Sequence, residues 1–144
     1  MVHHLVAAFI VQGDRILLGL RSPQREFYPS VWDVFGGHIE PEEQPDQTLV
    51  REIQEELGIT PREWTKLEIM RDSVPEQDGM PSHDLIVHMY CVTAWVGTPV
   101  NRQLEEHSTI QWFLYDEAVQ LDLAHHSYPR LFAQCLQVIA RNQK

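Results

Sequence analysis

The first apolar run of the chain, His4 to Val11, is rich in Val, Ile and Phe and predicts a β-strand. Gln12-Gly13-Asp14 reads as a turn, and Arg15 to Leu20 returns as a second strand, so the two make a hairpin. Arg21 to Ser30 is polar and punctuated by Pro23 and Pro29, which predicts a loop. Val31 to Phe35 is a short apolar segment running into Gly36-Gly37. The rhythm then changes: Leu49, Val50, Ile53 and Leu57 recur at three- to four-residue spacing, the signature of a helix with one apolar stripe. Pro45 suits its first turn and Gly58 its end, so the helix is expected over Pro45 to Leu57. Strands follow at Trp64 to Arg71 and Asp84 to Val96, separated by a loop, Asp72 to Ser82, that contains Pro75, Gly79 and Pro81. Gly97-Thr98-Pro99 breaks the second of these, and Asn101 to Ser108 is a polar, acidic loop. Thr109 to Tyr115 alternates as a strand, and Asp116 is expected to cap a short turn through Glu117, Ala118 and Val119. The last helix is expected from Tyr128 to Arg141, with Leu131, Phe132, Cys135, Leu136 and Ile139 on one face and Ser127 and Pro129 at its start. Strands, one helix, more strands and a helix predict an α/β fold, a mixed β-sheet sandwiched between helices in three layers. No repeat, linker or low-complexity tract interrupts the order, so residues 1–144 are read as one domain.

Charge narrows the partners. The net charge is −10, from 21 acidic against 11 basic residues. Such a surface disfavours nucleic acid polymers, whose binding needs a basic face. Cys91 and Cys135 lie in apolar patterns without metal spacing, which predicts two buried thiols. Leu5 to Val11 is too short to span a membrane and lacks the marks of a signal peptide, so a cytoplasmic protein is expected, as a monomer or homodimer. His125-His126 with Cys135 shows no zinc spacing, and Ser82-His83-Asp84 are chain neighbours where a catalytic triad would converge in space.

The chemistry is concentrated between Gly37 and Ile59. Gly37 is followed after five residues by Glu43 and after seven more by Arg51-Glu52-Ile53-Gln54-Glu55-Glu56-Leu57-Gly58-Ile59. Seven fixed identities, each at a background frequency of roughly one in fifteen, make a chance match on the order of one in a hundred million. Glu52, Glu55 and Glu56 fall together off the apolar stripe, because positions three and four apart share a helix face. Three carboxylates on one face repel, unless water separates them or a cation neutralises them. Mg²⁺ takes carboxylate, phosphate and water oxygens, and this face offers the first of these. Arg51 is placed to reach Glu55 one turn on and hold it in one rotamer. The tandem glycines suit a close backbone approach to a ligand, or positive φ.

This pattern resembles the Nudix box at every required position, and the resemblance covers most of the chain. It implies a Nudix-like α/β/α sandwich and a Mg²⁺-dependent hydrolase, with Mn²⁺ as a substitute, that cuts the pyrophosphate of a nucleoside diphosphate linked to another group. The metal set it implies is Glu52, Glu55, Glu56 and the carbonyl of Gly36. A glutamate acts as general base, either Glu52 or a loop acid, for which Glu106 is preferred over Glu105; Thr109 stands where many relatives carry a Glu. Arg21 and Arg25 lie where relatives place phosphate-binding cations. Gly37, His38 and Glu40 belong to the substrate-binding turn, Glu40 as metal ligand or loop brace. Glu43 assists the metal or braces the loop. Trp32 is expected in the core, and Phe27 and Tyr28 are candidates for a base-stacking rim. The short chain resembles MutT-type enzymes acting on (d)NTPs or their oxidised forms. The alternatives are ADP-ribose or nucleotide-sugar pyrophosphatase, to which Pro75, 16 residues past Ile59, points, and a nucleotide sensor without turnover, which would be expected to have lost a box glutamate.

Overall fold

The computed structural model describes residues 1–25 and 28–142, so Phe27 lies outside the described residues. The chain runs β1 (Val2–Gln12), β2 (Arg15–Arg21), β3 (Trp32–Asp33), β4 (Phe35–His38), α1 (Pro45–Leu57), β5 (Thr60–Val74), β6 (His83–Val96), β7 (His107–Leu114), α2 (Tyr115–Ala118) and α3 (Tyr128–Asn142). The mixed sheet is built around β1. One edge of β1 pairs in parallel with β6 from Val2 to Ile10, and β5 pairs antiparallel beyond it. The other edge is divided. Ile10–Gln12 pair with β2, closing the hairpin across Gly13 at φ +60°, while Leu5–Ala8 pair with β4. β2 meanwhile pairs with β3 at Gly19 and Leu20 and with β7 along its far edge. The hairpin strands thus diverge, and the Trp32–His38 segment fills the fork.

Each face of the sheet carries a helix. Leu49, Ile53 and Leu57 of α1 are fully buried against Val6, Ile10, Leu17, Phe35 and Tyr90. Leu131, Phe132 and Cys135 of α3 pack on the opposite face with Phe9, Val11 and Cys91. Phe9 meets Tyr128 and Phe132 edge-on, with ring centroids 5.6 and 5.2 Å away. The expected α/β/α sandwich is therefore present. Trp32 is half-buried and packs against this core, edge-on to Phe113 at 4.8 Å.

Several boundaries differ from expectation. β5 begins at Thr60 and continues through Asp72–Val74, beyond the Trp64–Arg71 expected. Three register shifts against β6 break its alternation, so a period of two is lost in the sequence. β7 starts at His107, within the expected loop. Val50 is only half-buried and Thr48 takes an inward position; on α3 Val138 is buried and Leu136 is not. Asp116 sits inside α2, and the turn is capped by the Leu114 amide donating to Glu117 Oε1 at 2.8 Å. Gly36 and Gly37 lie in the extended strand β4 and not at positive φ. Their need is space: a Cβ on Gly36 would fall 2.0 Å from the Val6 carbonyl oxygen.

This yields a stability prediction. Gly36→Ala should cost about 3 kcal/mol or more, because rigid backbone must move. Gly13→Ala, with open space around its Cβ, should lose only the positive-φ penalty of about 1–2 kcal/mol. Equal urea midpoints for the two variants would refute the β1–β4 register.

Candidate active site

α1 projects its acids at three depths. Ile53 and Leu57 point into the core, and Glu56, beside Leu57, is drawn in with them until the residue is only 4% exposed. Glu52, one turn earlier, is half-buried, and Glu55 is exposed. Strand β4 lies directly over this turn. A Cβ on Gly37 would stand 2.4–2.6 Å from the Glu52 carboxyl atoms, so the glycine is what lets the strand and the acid share the space.

Arg51 is the hub of the helix entrance. Its Nε and Nη2 donate to Glu43 Oε2 and Oε1 at 2.8 and 2.9 Å, a bidentate fork. Nη1 donates to Glu52 Oε1 at 2.9 Å and Nη2 to the His38 carbonyl at 3.1 Å. Glu55 is a distant partner at 3.5 Å and Glu40 an ion pair at 3.8 Å, so the expected Arg51–Glu55 clamp is a minor contact. Glu43 also accepts from the Thr48 hydroxyl at 2.6 Å and the Glu40 amide at 3.1 Å. Of its two expected roles, this geometry is that of a brace for the loop. The fork and these hydrogen bonds hold the Glu43 carboxyl down at about 2, while the Arg51 guanidinium is pushed up.

The opposite wall comes from the start of β7. Glu56, Glu106 and His107 bring one ligand atom each within 4.8 Å of one another. Burial drives the Glu56 carboxyl well above its ordinary value, helped by Glu106 and then Glu52; Glu52 is raised by burial against the pull of Arg51. Arg25 stands 3.9 Å from Glu106. His107 is buried, and burial, reinforced by Arg25 and Arg21, lowers its imidazole to about 4. It was not anticipated from the sequence. The one available signal is Gly19 in an otherwise aliphatic strand, which marks a close approach: a Cβ there would lie 2.5 Å from the His107 ring.

Between these walls opens a cleft of about 730 Å³, which Arg21, Arg25, Tyr28, His38 and Glu40 also line. Arg21 donates to Asp33 Oδ2 at 3.2 Å and to the Tyr28 carbonyl at 2.9 Å, while Tyr128 Oη donates to Asp33 Oδ1 at 2.6 Å. Glu105 is exposed, outside the cleft lining.

The NUDIX domain model matches residues 1–135. The chain belongs to the NUDIX domain family. It is 36% identical over 129 residues to the CTP pyrophosphohydrolase of Escherichia coli (strain K12), covering 90% of this chain and 88% of that protein. It is 27% identical over 92 residues to the 8-oxo-dGTP diphosphatase of Proteus vulgaris, covering 64% and 77%. Among solved structures it resembles the MutT NUDIX hydrolase from Burkholderia pseudomallei at a TM-score of 0.71 and 27% identity, covering 81% of this chain and 86% of that one.

Nudix hydrolases generally use a divalent cation, and the residues present suit one. Among the described residues Glu56 Oε2 is a buried side-chain oxygen without a hydrogen-bond partner. Burying such an oxygen is costly unless a proton or a cation meets it. Glu106, Glu52 and the backbone of Gly36 act on Glu56, whereas Glu55 is exposed and lies outside the cleft lining.

The Glu43 brace makes a pH prediction. Its folded carboxyl titrates at about 2, below the ordinary 4.5, so its contribution is present above pH 4.5 and is lost as pH falls toward 2. In EDTA, wild type should exceed Glu43→Gln in urea midpoint at pH 6, and the gap should close between pH 4.5 and 2. A pH-independent gap would remove the ion pair as its cause.

Proposed function

We propose that this chain hydrolyses nucleoside triphosphates, including oxidised ones, to a nucleoside monophosphate and pyrophosphate. The observation that carries this reading is Glu56, with a buried, unpartnered oxygen, lining a cleft together with Glu106. Glu52, Glu55, Glu56 and the Gly36 carbonyl would hold Mg²⁺, or Mn²⁺ in its place. When bound, the cation draws charge from the phosphates and makes water easier to deprotonate. Glu52 is the favoured base, because Arg51 fixes its Oε1 and keeps it facing the cleft. Glu106 is the second candidate, steadied by Arg25. Arg25 and Arg21 stand along the phosphate path, Arg21 held by Asp33. Away from the acids the cleft is lined by apolar groups such as Leu5, Val34, Met70 and Val87, a setting for the flat face of a base, with Tyr28 at the rim.

The E. coli relative, named for CTP, supports a triphosphate in preference to ADP-ribose. The net charge of −10 favours a small anion bridged by metal over a nucleic acid polymer. Every group in the proposed site comes from one chain, so a monomer or a homodimer would serve, with residues 1–144 acting as one domain. Free nucleotides are cytoplasmic metabolites, which suits the expected compartment. Among the described residues no helix is long and apolar enough to cross a membrane.

A panel of CTP, dCTP, GTP, 8-oxo-dGTP and ADP-ribose with Mg²⁺, followed by chromatography, tests the reading. Multiple turnovers to monophosphate and pyrophosphate are expected, faster for a triphosphate than for ADP-ribose. Glu56→Gln should lower kcat by about two to three orders of magnitude, the scale of losing one charge-stabilising group. Stoichiometric binding without product across the panel would replace the enzyme by a sensor.

A further inference from the structure

His107 is difficult to explain as packing alone. Its backbone is pinned on both sides: the amide donates to the Gln103 carbonyl at 3.0 Å, and the carbonyl accepts from Asn101 Nδ2 at 2.8 Å. The ring lies in a slot whose back is Gly19, and it tilts against Phe35 at 5.2 Å. Among the described residues nothing hydrogen-bonds to either ring nitrogen, although the residue is only 3% exposed. A buried imidazole ordinarily satisfies its N–H and its lone pair. One ring nitrogen lies within 4.8 Å of a carboxylate oxygen of Glu56 and one of Glu106, and Glu56 Oε2 is a buried oxygen without a partner.

We propose that His107 supplies an imidazole nitrogen to a cation shared with Glu56 and Glu106, giving this site a preference for first-row transition ions over Mg²⁺. The donors are close enough to converge on one ion with a small side-chain adjustment: trans donors on an octahedral ion at 2.0–2.1 Å lie about 4.2 Å apart, and the three ligand atoms here fall within 4.8 Å of one another. The chemistry follows from the donors. Mg²⁺ favours oxygen donors and gains little from an imidazole, whereas the affinity of nitrogen-containing sites rises from Mn²⁺ through Co²⁺. Glu52 and Glu55, with oxygen donors only, keep their suitability for Mg²⁺. The buried oxygen of Glu56 would then gain a partner in the same ion.

This inference rests on the metal-phosphate reading above, and the test separates the two. The full chain is loaded with Mn²⁺ and examined by pulsed EPR for nitrogen modulation, with ¹⁵N-histidine labelling to assign it. Mn²⁺ and Mg²⁺ affinities are measured alongside by calorimetry. Wild type should show histidine nitrogen coupled to the ion. His107→Gln should abolish the coupling and lower the Mn²⁺-to-Mg²⁺ affinity ratio about tenfold or more. Gly19→Ala, which pushes the ring aside from outside the ligand set, should act in the same direction and serves if His107→Gln fails to fold. Bound Mn²⁺ without nitrogen coupling, or coupling that persists in both variants, would overturn the imidazole ligand while leaving the hydrolase intact. Failure to bind either ion, together with no turnover, would overturn both.

Discussion

The division of β1's second edge between β2 and β4 is the constraint from which the site follows. Its first edge is held by β6 over nine consecutive residue pairs, so β1 cannot bend away to follow β2. The hairpin must open, and the gap is taken by Trp32–His38, half of it pairing with β2 and half with β1. That crossing puts Gly36 and Gly37 over α1 and leaves the cleft on the same side as Glu52 and Glu56. A β-carbon on either glycine would collide, in one case with rigid backbone and in the other with a carboxylate.

α1 has to satisfy two opposed demands. Leu49, Ile53 and Leu57 are each worth about 1.5–3 kcal/mol on burial and hold the helix to the sheet. The same docking drags Glu56 out of water, where an ionised carboxylate is unfavourable. The helix stays in place because the apolar stripe is larger than this single penalty, and because Arg51 collects Glu43, Glu52 and the His38 carbonyl at its entrance. Stability and chemistry are therefore in tension along one helix. A cation at Glu56 would relieve that tension by supplying the positive charge that no side chain of the helix brings to its depth.

The Nudix box, the hairpin and both long helices are legible in the sequence because they rest on local rules: apolar spacing, a proline at one helix end and a glycine at the other. The grouping of three glutamates on α1 follows from the 3.6-residue period alone. Tertiary structure decided their inequality. The period places Glu52, Glu55 and Glu56 on one face, but only the docked sheet makes one buried, one half-buried and one exposed. It likewise decided the partner of Arg51, since Glu43 is eight residues away across a loop whose course is not periodic. The full length of β5 was hidden by its register shifts, because a bulge erases the alternation by which a strand is recognised. His107 was hidden for a related reason: its burial depends on the pairing of β7 with β2, a contact between residues 88 positions apart in Gly19 and His107, and no local pattern records it. Local periodicity carried the scaffold and the identity of the acids, whereas long-range pairing set how deep each lies and what stands beside it.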